Sequence, residues 1–145
     1  MNAEPARIYF DGSCLGNPGP MSVMVVVPGV QRYKRLGRMT AEVEGKSGYA
    51  EWSGAALALE VGLRAELSRV VILGDNEKVI DIMKGEARCQ KRHLIPVWTR
   101  CVELSRRFEE VRWQHIRREF NLAGVAIEKR IKELAAAERK ALRCR

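Results

Sequence analysis

Three acidic residues of this 145-residue chain stand where predicted elements begin or end. Asp11 ends the predicted strand of residues 7–11, and Asp75 ends that of residues 69–75, while Glu51 lies in the first turn of a predicted helix. Sites of α/β proteins form at the carboxyl ends of strands, so Asp11 and Asp75 would project into one crevice if their strands are parallel neighbours, and the first helix would add Glu51. Clustered carboxylates repel each other unless they bind a cation, and Mg²⁺ or Mn²⁺ prefers such oxygen ligands. The alternative is that Asp11 and Asp75 serve only as turn or cap residues.

The spacing of apolar residues predicts the elements that would position these carboxylates. Strands are expected at residues 7–11, 21–27, 31–39, 69–75 and 111–115, and helices at residues 49–67, 77–83, 94–108 and 122–142. Ser47 or Gly48 is the expected N-cap of the first helix. The first three strands would form an antiparallel meander. The order βββαβααβα predicts a mixed α/β fold, in a single domain that spans residues 1–145.

Composition and charge restrict the classes of protein. Apolar residues make up 46% of the chain, which excludes disorder, and no apolar segment reaches the roughly 18 residues of a membrane span. The four cysteines and two histidines lack the spacing of zinc ligands. Residues 85–145 hold 16 of the 26 basic residues but 8 of the 18 acidic ones, which indicates either a nucleic-acid partner or a basic surface that serves solubility. The N-terminus lacks a secretory pattern, so we expect a cytoplasmic monomer that does not bind membranes.

Four segments resemble the motifs of the type 1 ribonuclease H family, in the order of that family. They are residues 8–20, Ala50-Glu51-Trp52, Gly74-Asp75, and His115–Asn121 with the pattern His-x-x-Arg-Glu-x-Asn. The resemblance covers almost the whole chain. It implies the ribonuclease H-like fold, a five-stranded mixed sheet of order 3-2-1-4-5 flanked by helices. It also implies hydrolysis of the RNA strand of RNA/DNA hybrids, with two metal ions, Mg²⁺ or Mn²⁺, held by four carboxylates.

The resemblance also implies roles for individual residues. Asp11, Glu51 and Asp75 match three of the family's catalytic metal ligands. His115 matches a histidine that helps to move protons or to release product. Contacts with the RNA/DNA hybrid are implied or suggested for Gly12, Ser13, Asn17, Lys46 and Asn76.

The chain departs from the family at the fourth carboxylate. The family carries this Asp ten residues after the histidine, where this chain has Val125, which cannot bind a metal. Helical spacing puts Val125 on a stripe with Asn121 and Glu128, away from the apolar face of the last helix. Asn121 as a further catalytic residue, or Glu128, could therefore hold the second metal. Glu119 is a weaker candidate, and the other possibility is that nothing replaces the missing ligand.

Two functions follow from these observations. The first is an RNA/DNA-hybrid endoribonuclease with an atypical fourth metal ligand, which the presence of all the other motif residues favours. The second is a catalytically impaired nucleic-acid-binding module on the same fold, which Val125 favours. A short basic segment, Arg88 to His93, would either contact phosphates or form a solvated loop.

Overall fold

The computed structural model describes residues 4–15, 20–38 and 46–144. The strands are β1 (Ala6–Cys14), β2 (Pro20–Val27), β3 (Val30–Arg38), β4 (Arg69–Gly74) and β5 (Glu110–His115). The α-helices are α1 (Lys46–Arg64), α2 (Glu77–Met83), α3 (Ile95–Ser105) and α4 (Leu122–Arg143). Short 3₁₀ turns at Arg92–Leu94 and Arg118–Phe120 precede α3 and α4. No helix in this part of the chain has the length and apolar character that crossing a bilayer requires.

The five strands form one mixed sheet in the order β3-β2-β1-β4-β5. β1, β2 and β3 pair antiparallel as a meander, and β4 runs parallel to both β1 and β5. β2 is buried along most of its length, because its apolar run lies between two layers, and the more polar β3 lies at the edge. The predicted strand order, meander and mixed α/β class are all confirmed.

Helices cover both faces of the sheet. On one face, α1, α2 and α3 enclose the main hydrophobic core, which includes Ile8, Phe10, Trp52, Leu59 and Ile72. On the other face, Ala123 and Ile127 of α4 pack against Met24 of β2. The apolar stripe predicted for the last helix therefore faces the sheet, and the opposite side of that helix faces solvent.

β1 is longer than the sequence predicts. The strand was expected to end at Asp11, but it continues to Cys14, because Asp11 and Cys14 still pair with Met24 and Met21 of β2. The parallel pairing with β4 does end earlier, at Tyr9. Asp11 thus lies where β1 separates from β4 but is still held by β2, which fixes its backbone within the sheet.

The start of α1 also differs from the prediction. The helix begins at Lys46, so Ser47 and Gly48 lie inside it and neither is the N-cap. Glu51 consequently lies in the second turn, not in the first as expected. The part of α1 that precedes Glu51 is therefore longer than the sequence predicts.

Both α1 and α3 end earlier than the sequence predicts, and for the same reason. After α1, Glu66 adopts a positive φ of 59°, and the Leu67 N–H donates to the Gly62 carbonyl at 3.0 Å, as in a Schellman motif. Leu67 nevertheless packs against the main core. Phe108 does the same beyond the end of α3. Apolar spacing therefore continues past both helix ends, because residues outside the helix still reach the core.

Candidate metal centre

Three carboxylates meet at the edge of the sheet where β1 and β4 separate. Asp11 lies on β1, Asp75 directly follows β4, and Glu51 reaches them from α1. One oxygen from each side chain lies within 4.8 Å of the other two. The Asp11 side chain is 1% exposed and Glu51 is 8% exposed. The three carboxylates predicted to share a crevice are thus together and largely withdrawn from water.

Two glycines allow this close approach. A Cβ on Gly12 would lie 2.3 Å from the carbonyl carbon and oxygen of Ala50, so only glycine lets β1 and α1 touch at this point. That contact places Glu51, the next residue of α1, beside Asp11. A Cβ on Gly74 would lie 2.6 Å from the Phe10 ring. Close packing on both sides of the cluster therefore sets the positions of its backbone.

The electrostatics of the cluster fit a bound cation. Burial raises the pKa of Glu51 well above its ordinary value, and the neighbouring charge of Asp11 raises it further. Burial likewise raises the pKa of Asp11, to which the charge of Asp75 adds. Both Asp11 carboxylate oxygens and Oε2 of Glu51 are buried without a hydrogen-bond partner. Unpaired buried carboxylate oxygens are costly, and a divalent cation would satisfy them.

Asn121 contacts the cluster through its NH₂ group and not through its oxygen. Its Nδ2 donates to the Phe10 carbonyl at 3.0 Å and to Oδ1 of Asp75 at 3.3 Å. Its Oδ1 accepts from the Ala123 N–H at 3.1 Å and so caps α4. The Asn121 oxygen thus has the N-cap role that the sequence also suggests, and its role as a metal ligand stays a prediction. Asn121 also orients Asp75 and ties α4 to β1.

Arg118 occupies the side of the cluster that faces α4. Its Nη1 lies 3.0 Å from Oδ2 of Asp75 and 3.8 Å from Oδ2 of Asp11. Its Nη2 donates to Oε1 of Glu128 at 2.9 Å. Glu128 thus binds this guanidinium through Oε1 and is not among the three clustered carboxylates, so its role as a ligand of a second metal stays a prediction. Glu119 is exposed and lies 3.9 Å from Arg117.

Sequence reasoning gave Arg118 no role, although this arginine lies within the His-x-x-Arg-Glu-x-Asn pattern. Its partner Asp75 is 43 residues away in the chain. The signal that could have identified Arg118 was its position inside a motif that otherwise supplies carboxylates and amides.

The structure describes His115, Ser13 and Asn76 among the other predicted site residues. Nε2 of His115, the last residue of β5, is 3.3 Å from the Asp75 carbonyl oxygen. Ser13 pairs with Ser22 across the sheet. Asn76 caps α2, accepting from the Val79 N–H at 3.1 Å. Asn17 and the side chain of Lys46 lie outside the described residues.

A cavity of about 520 Å³ lies between α1, α2 and the segment that precedes α3, and it is lined by Trp52 and Asn76, the chain neighbours of Glu51 and Asp75. Its lining includes Trp52, Asn76, Lys78, Arg88 and Lys91. Two residues of the predicted basic segment therefore face a cavity that begins next to Asp75. Lys78, Arg88 and Lys91 outnumber Asp81 in the lining, and this net positive charge suits a polyanion.

Solved structures with the same architecture are ribonucleases H. RNase H1 from the halophilic archaeon Halobacterium salinarum NRC-1 is 26% identical, with a TM-score of 0.74 over 85% of this chain and 93% of that one. The N-terminal RNase H domain of rv2228c from Mycobacterium tuberculosis is 21% identical, with a TM-score of 0.74 over 91% and 99%. LC11-RNase H1, in complex with an RNA/DNA hybrid, is 23% identical, with a TM-score of 0.69 over 81% and 88%.

A family described as "Reverse transcriptase-like" matches residues 10–127. The chain belongs to this ribonuclease H-like family. The family predicted from the four motifs is thus confirmed, and the matched residues include the three carboxylates, His115 and Val125.

Val125 lies on α4, next to the carboxylate cluster. Its side chain is 58% exposed. It lies on the helix between Asn121 and Glu128, and both of those residues reach groups around Asp75. The adjacent Gly124 is closer to the carboxylates, since a Cβ there would lie 3.5 Å from Oδ2 of Asp11. The stripe that carries Val125 therefore borders the site, as its helical spacing predicts.

Proposed function

We propose that this chain hydrolyses the RNA strand of RNA/DNA hybrids with a divalent cation held by Asp11, Glu51 and Asp75. The observation that carries the proposal is the buried cluster itself, in which both Asp11 oxygens and Oε2 of Glu51 lack a hydrogen-bond partner. Mg²⁺ or Mn²⁺ suits such a set of hard oxygen ligands. When bound, the cation would polarise the phosphodiester and lower the pKa of an attacking water.

Each side chain has a separate task in this proposal. Asp11 and Glu51 supply buried ligand oxygens, and Asn121 orients the Asp75 carboxylate by donating to it. His115 is exposed at the end of β5 and lies beside Asp75, where it can exchange protons with solvent. No serine or cysteine nucleophile is needed, because water itself adds to the phosphorus as the P–O ester bond breaks.

The proposed substrate fits the charge around the site. Lys78, Arg88 and Lys91 line the cavity beside Asp75 and could contact backbone phosphates, with Asn76 at the same cavity. LC11-RNase H1, which has the same fold, has been solved in complex with an RNA/DNA hybrid. Gly12, Ser13, Asn17 and Lys46 are proposed to contact the hybrid. A cytoplasmic location, a monomeric state and a single domain over residues 1–145 stay predictions.

The second candidate is a module that binds hybrid without cleaving it. Val125 favours this function, because the fourth carboxylate is missing at that position, while Oδ1 of Asn121 caps α4 and Oε1 of Glu128 binds Arg118. The two candidates differ in one respect only, which is whether three carboxylates suffice for hydrolysis.

A cleavage assay separates the candidates. The full chain is incubated with a hybrid whose RNA strand is end-labelled, in Mg²⁺, in Mn²⁺ and in EDTA, beside single-stranded RNA and both homoduplexes. We expect hybrid-specific products that require a divalent cation. Binding of the hybrid without product in either metal would instead establish the binding module.

The variant D11N shows whether any activity belongs to this site. We expect cleavage to fall by more than about 100-fold, because a central ligand oxygen is lost, while hybrid affinity is kept. E133Q, an exposed change on α4, is the control with the same loss of charge and should cleave like the parent chain. Equal cleavage by D11N would show that the site is assigned wrongly.

A further inference from the structure

We propose that the Arg118 guanidinium takes the place of a second metal ion, so that this site binds a single divalent cation. The inference rests on the proposed function, since it concerns the same carboxylates. It adds a role for Arg118, which positions Asp75 and supplies a positive charge to the site.

The first support is the geometry of Arg118. Its guanidinium is held between Asp75 on one side and Glu128 on the other, at 3.0 and 2.9 Å. It also approaches Oδ2 of Asp11 to 3.8 Å. A cation of fixed position thus already lies against two of the three carboxylates, on the side where the fourth would stand.

The second support is the balance of charge. Asp11, Glu51 and Asp75 carry three formal negative charges when ionised, and one divalent cation with one guanidinium neutralises them. Two divalent cations would leave an excess of positive charge unless a fourth carboxylate were present, and residue 125 is valine. Glu128, the other carboxylate that Arg118 contacts, is left out of this balance because it is exposed and water screens its charge.

The third support is that Arg118 remains accessible to a substrate. Its side chain is 57% exposed, although it contacts the buried carboxylates. A guanidinium has five N–H donors, and the contacts with Asp75 and Glu128 leave several of them unused. These donors can form charge-assisted hydrogen bonds with a phosphate oxygen of a hybrid bound over the cluster.

Calorimetric titration of the metal-free full chain with Mn²⁺ tests the proposal. We expect one bound cation in the parent chain. In R118Q the same cation should bind more tightly, by about three- to tenfold, because a positive charge beside Asp75 is removed while solvent screening limits the gain. Cleavage of the hybrid should fall at least tenfold in the same variant. An effect of R118Q on folding alone would lower Mn²⁺ affinity and cleavage together.

The control and the double variant complete the test. R117Q removes a neighbouring exposed charge outside the cluster and should leave Mn²⁺ affinity and cleavage unchanged. R118Q/V125D should bind two Mn²⁺ ions, since it lacks the guanidinium and has a fourth carboxylate. Two ions in the parent chain, or unchanged affinity and cleavage in R118Q, would overturn the proposal.

Two outcomes separate the replacement of a metal ion by Arg118 from the hydrolysis of the hybrid. If the chain binds one Mn²⁺ and R118Q strengthens that binding, but no hybrid is cleaved, the charge replacement stands and the hydrolase does not. If the hybrid is cleaved and two Mn²⁺ ions bind, the hydrolase stands and the replacement does not.

Discussion

The two sides of the carboxylate cluster are built differently. On the side of β1 and α1, Asp11 and Glu51 are buried, and Gly12 lies against the backbone of α1 without room for a side chain. On the side of α4, Val125 and Glu128 are exposed, and the contact with the cluster is made by the long side chain of Arg118. Tight packing on the first side leaves almost no room for other residues at these positions. The second side can exchange a carboxylate for a different arrangement of charge without disturbing the core.

Replacement of Gly12 and of Gly124 by alanine should give the largest difference between the two sides, measured as the free energy of unfolding. G12A should destabilise the chain by about 3 kcal/mol or more, because its Cβ would overlap the Ala50 carbonyl at 2.3 Å. G124A is the matched change on the α4 side, where a Cβ finds ordinary contact distances. It should be neutral or stabilise by up to about 1 kcal/mol, since alanine favours a helix. Urea denaturation measures both values, and equal effects would remove the distinction.

The variant E51Q should stabilise the metal-free chain at neutral and alkaline pH. The folded-state pKa of Glu51 lies above its unfolded value, so the stability that neutral Glu51 provides is fully present in acid and is lost as pH rises through that folded pKa. Glutamine is neutral at every pH. In EDTA we expect E51Q to be more stable than the parent chain by about 1–2 kcal/mol at pH 8, with a smaller difference at pH 5.

Denaturation in Mn²⁺ is the complementary measurement for E51Q. The metal should stabilise the parent chain, because it binds only the folded state, and should stabilise E51Q much less. The exposed change E133Q serves as the control for loss of one charge. A parent chain that is more stable than E51Q in EDTA at pH 8 would show that Glu51 has a structural partner and is not held for a cation.

The variant V125D should have the smallest effect. A carboxylate at this exposed position adds negative charge next to the cluster while Arg118 still partly neutralises it. Mn²⁺ affinity should therefore rise only about threefold. V125N has nearly the same shape without the charge and should not change the affinity. Equal affinities for the Asp and Asn variants would show that residue 125 does not act on the site electrostatically.

The difference between the two sides also decides what the sequence could predict. The strand order follows from the resemblance to the family, and the grouping of Asp11, Glu51 and Asp75 and the apolar face of α4 follow from local patterns; the structure has all three as expected. The ends of β1 and α1 did not follow, because pairing with β2 and packing of Leu67 depend on the tertiary structure.

The α4 side was harder to predict because its contacts are long-range and made by exposed side chains. Asn121 and Glu128 lie near the site, where Oδ1 of Asn121 caps α4 and Oε1 of Glu128 binds Arg118, and the second of these contacts is not visible in the sequence. No local pattern shows that an arginine reaches an aspartate 43 residues away. The sequence shows that the fourth carboxylate is missing at residue 125, but it does not show that the Arg118 guanidinium lies nearby.

Anomalous diffraction from crystals soaked in Mn²⁺ tests the central claim most directly, because it counts the cations and locates them. The account predicts one anomalous peak bound by Asp11, Glu51 and Asp75, with the Arg118 guanidinium still between Asp75 and Glu128. No peak within the three carboxylates, or a second peak on the α4 side that displaces Arg118, would contradict it.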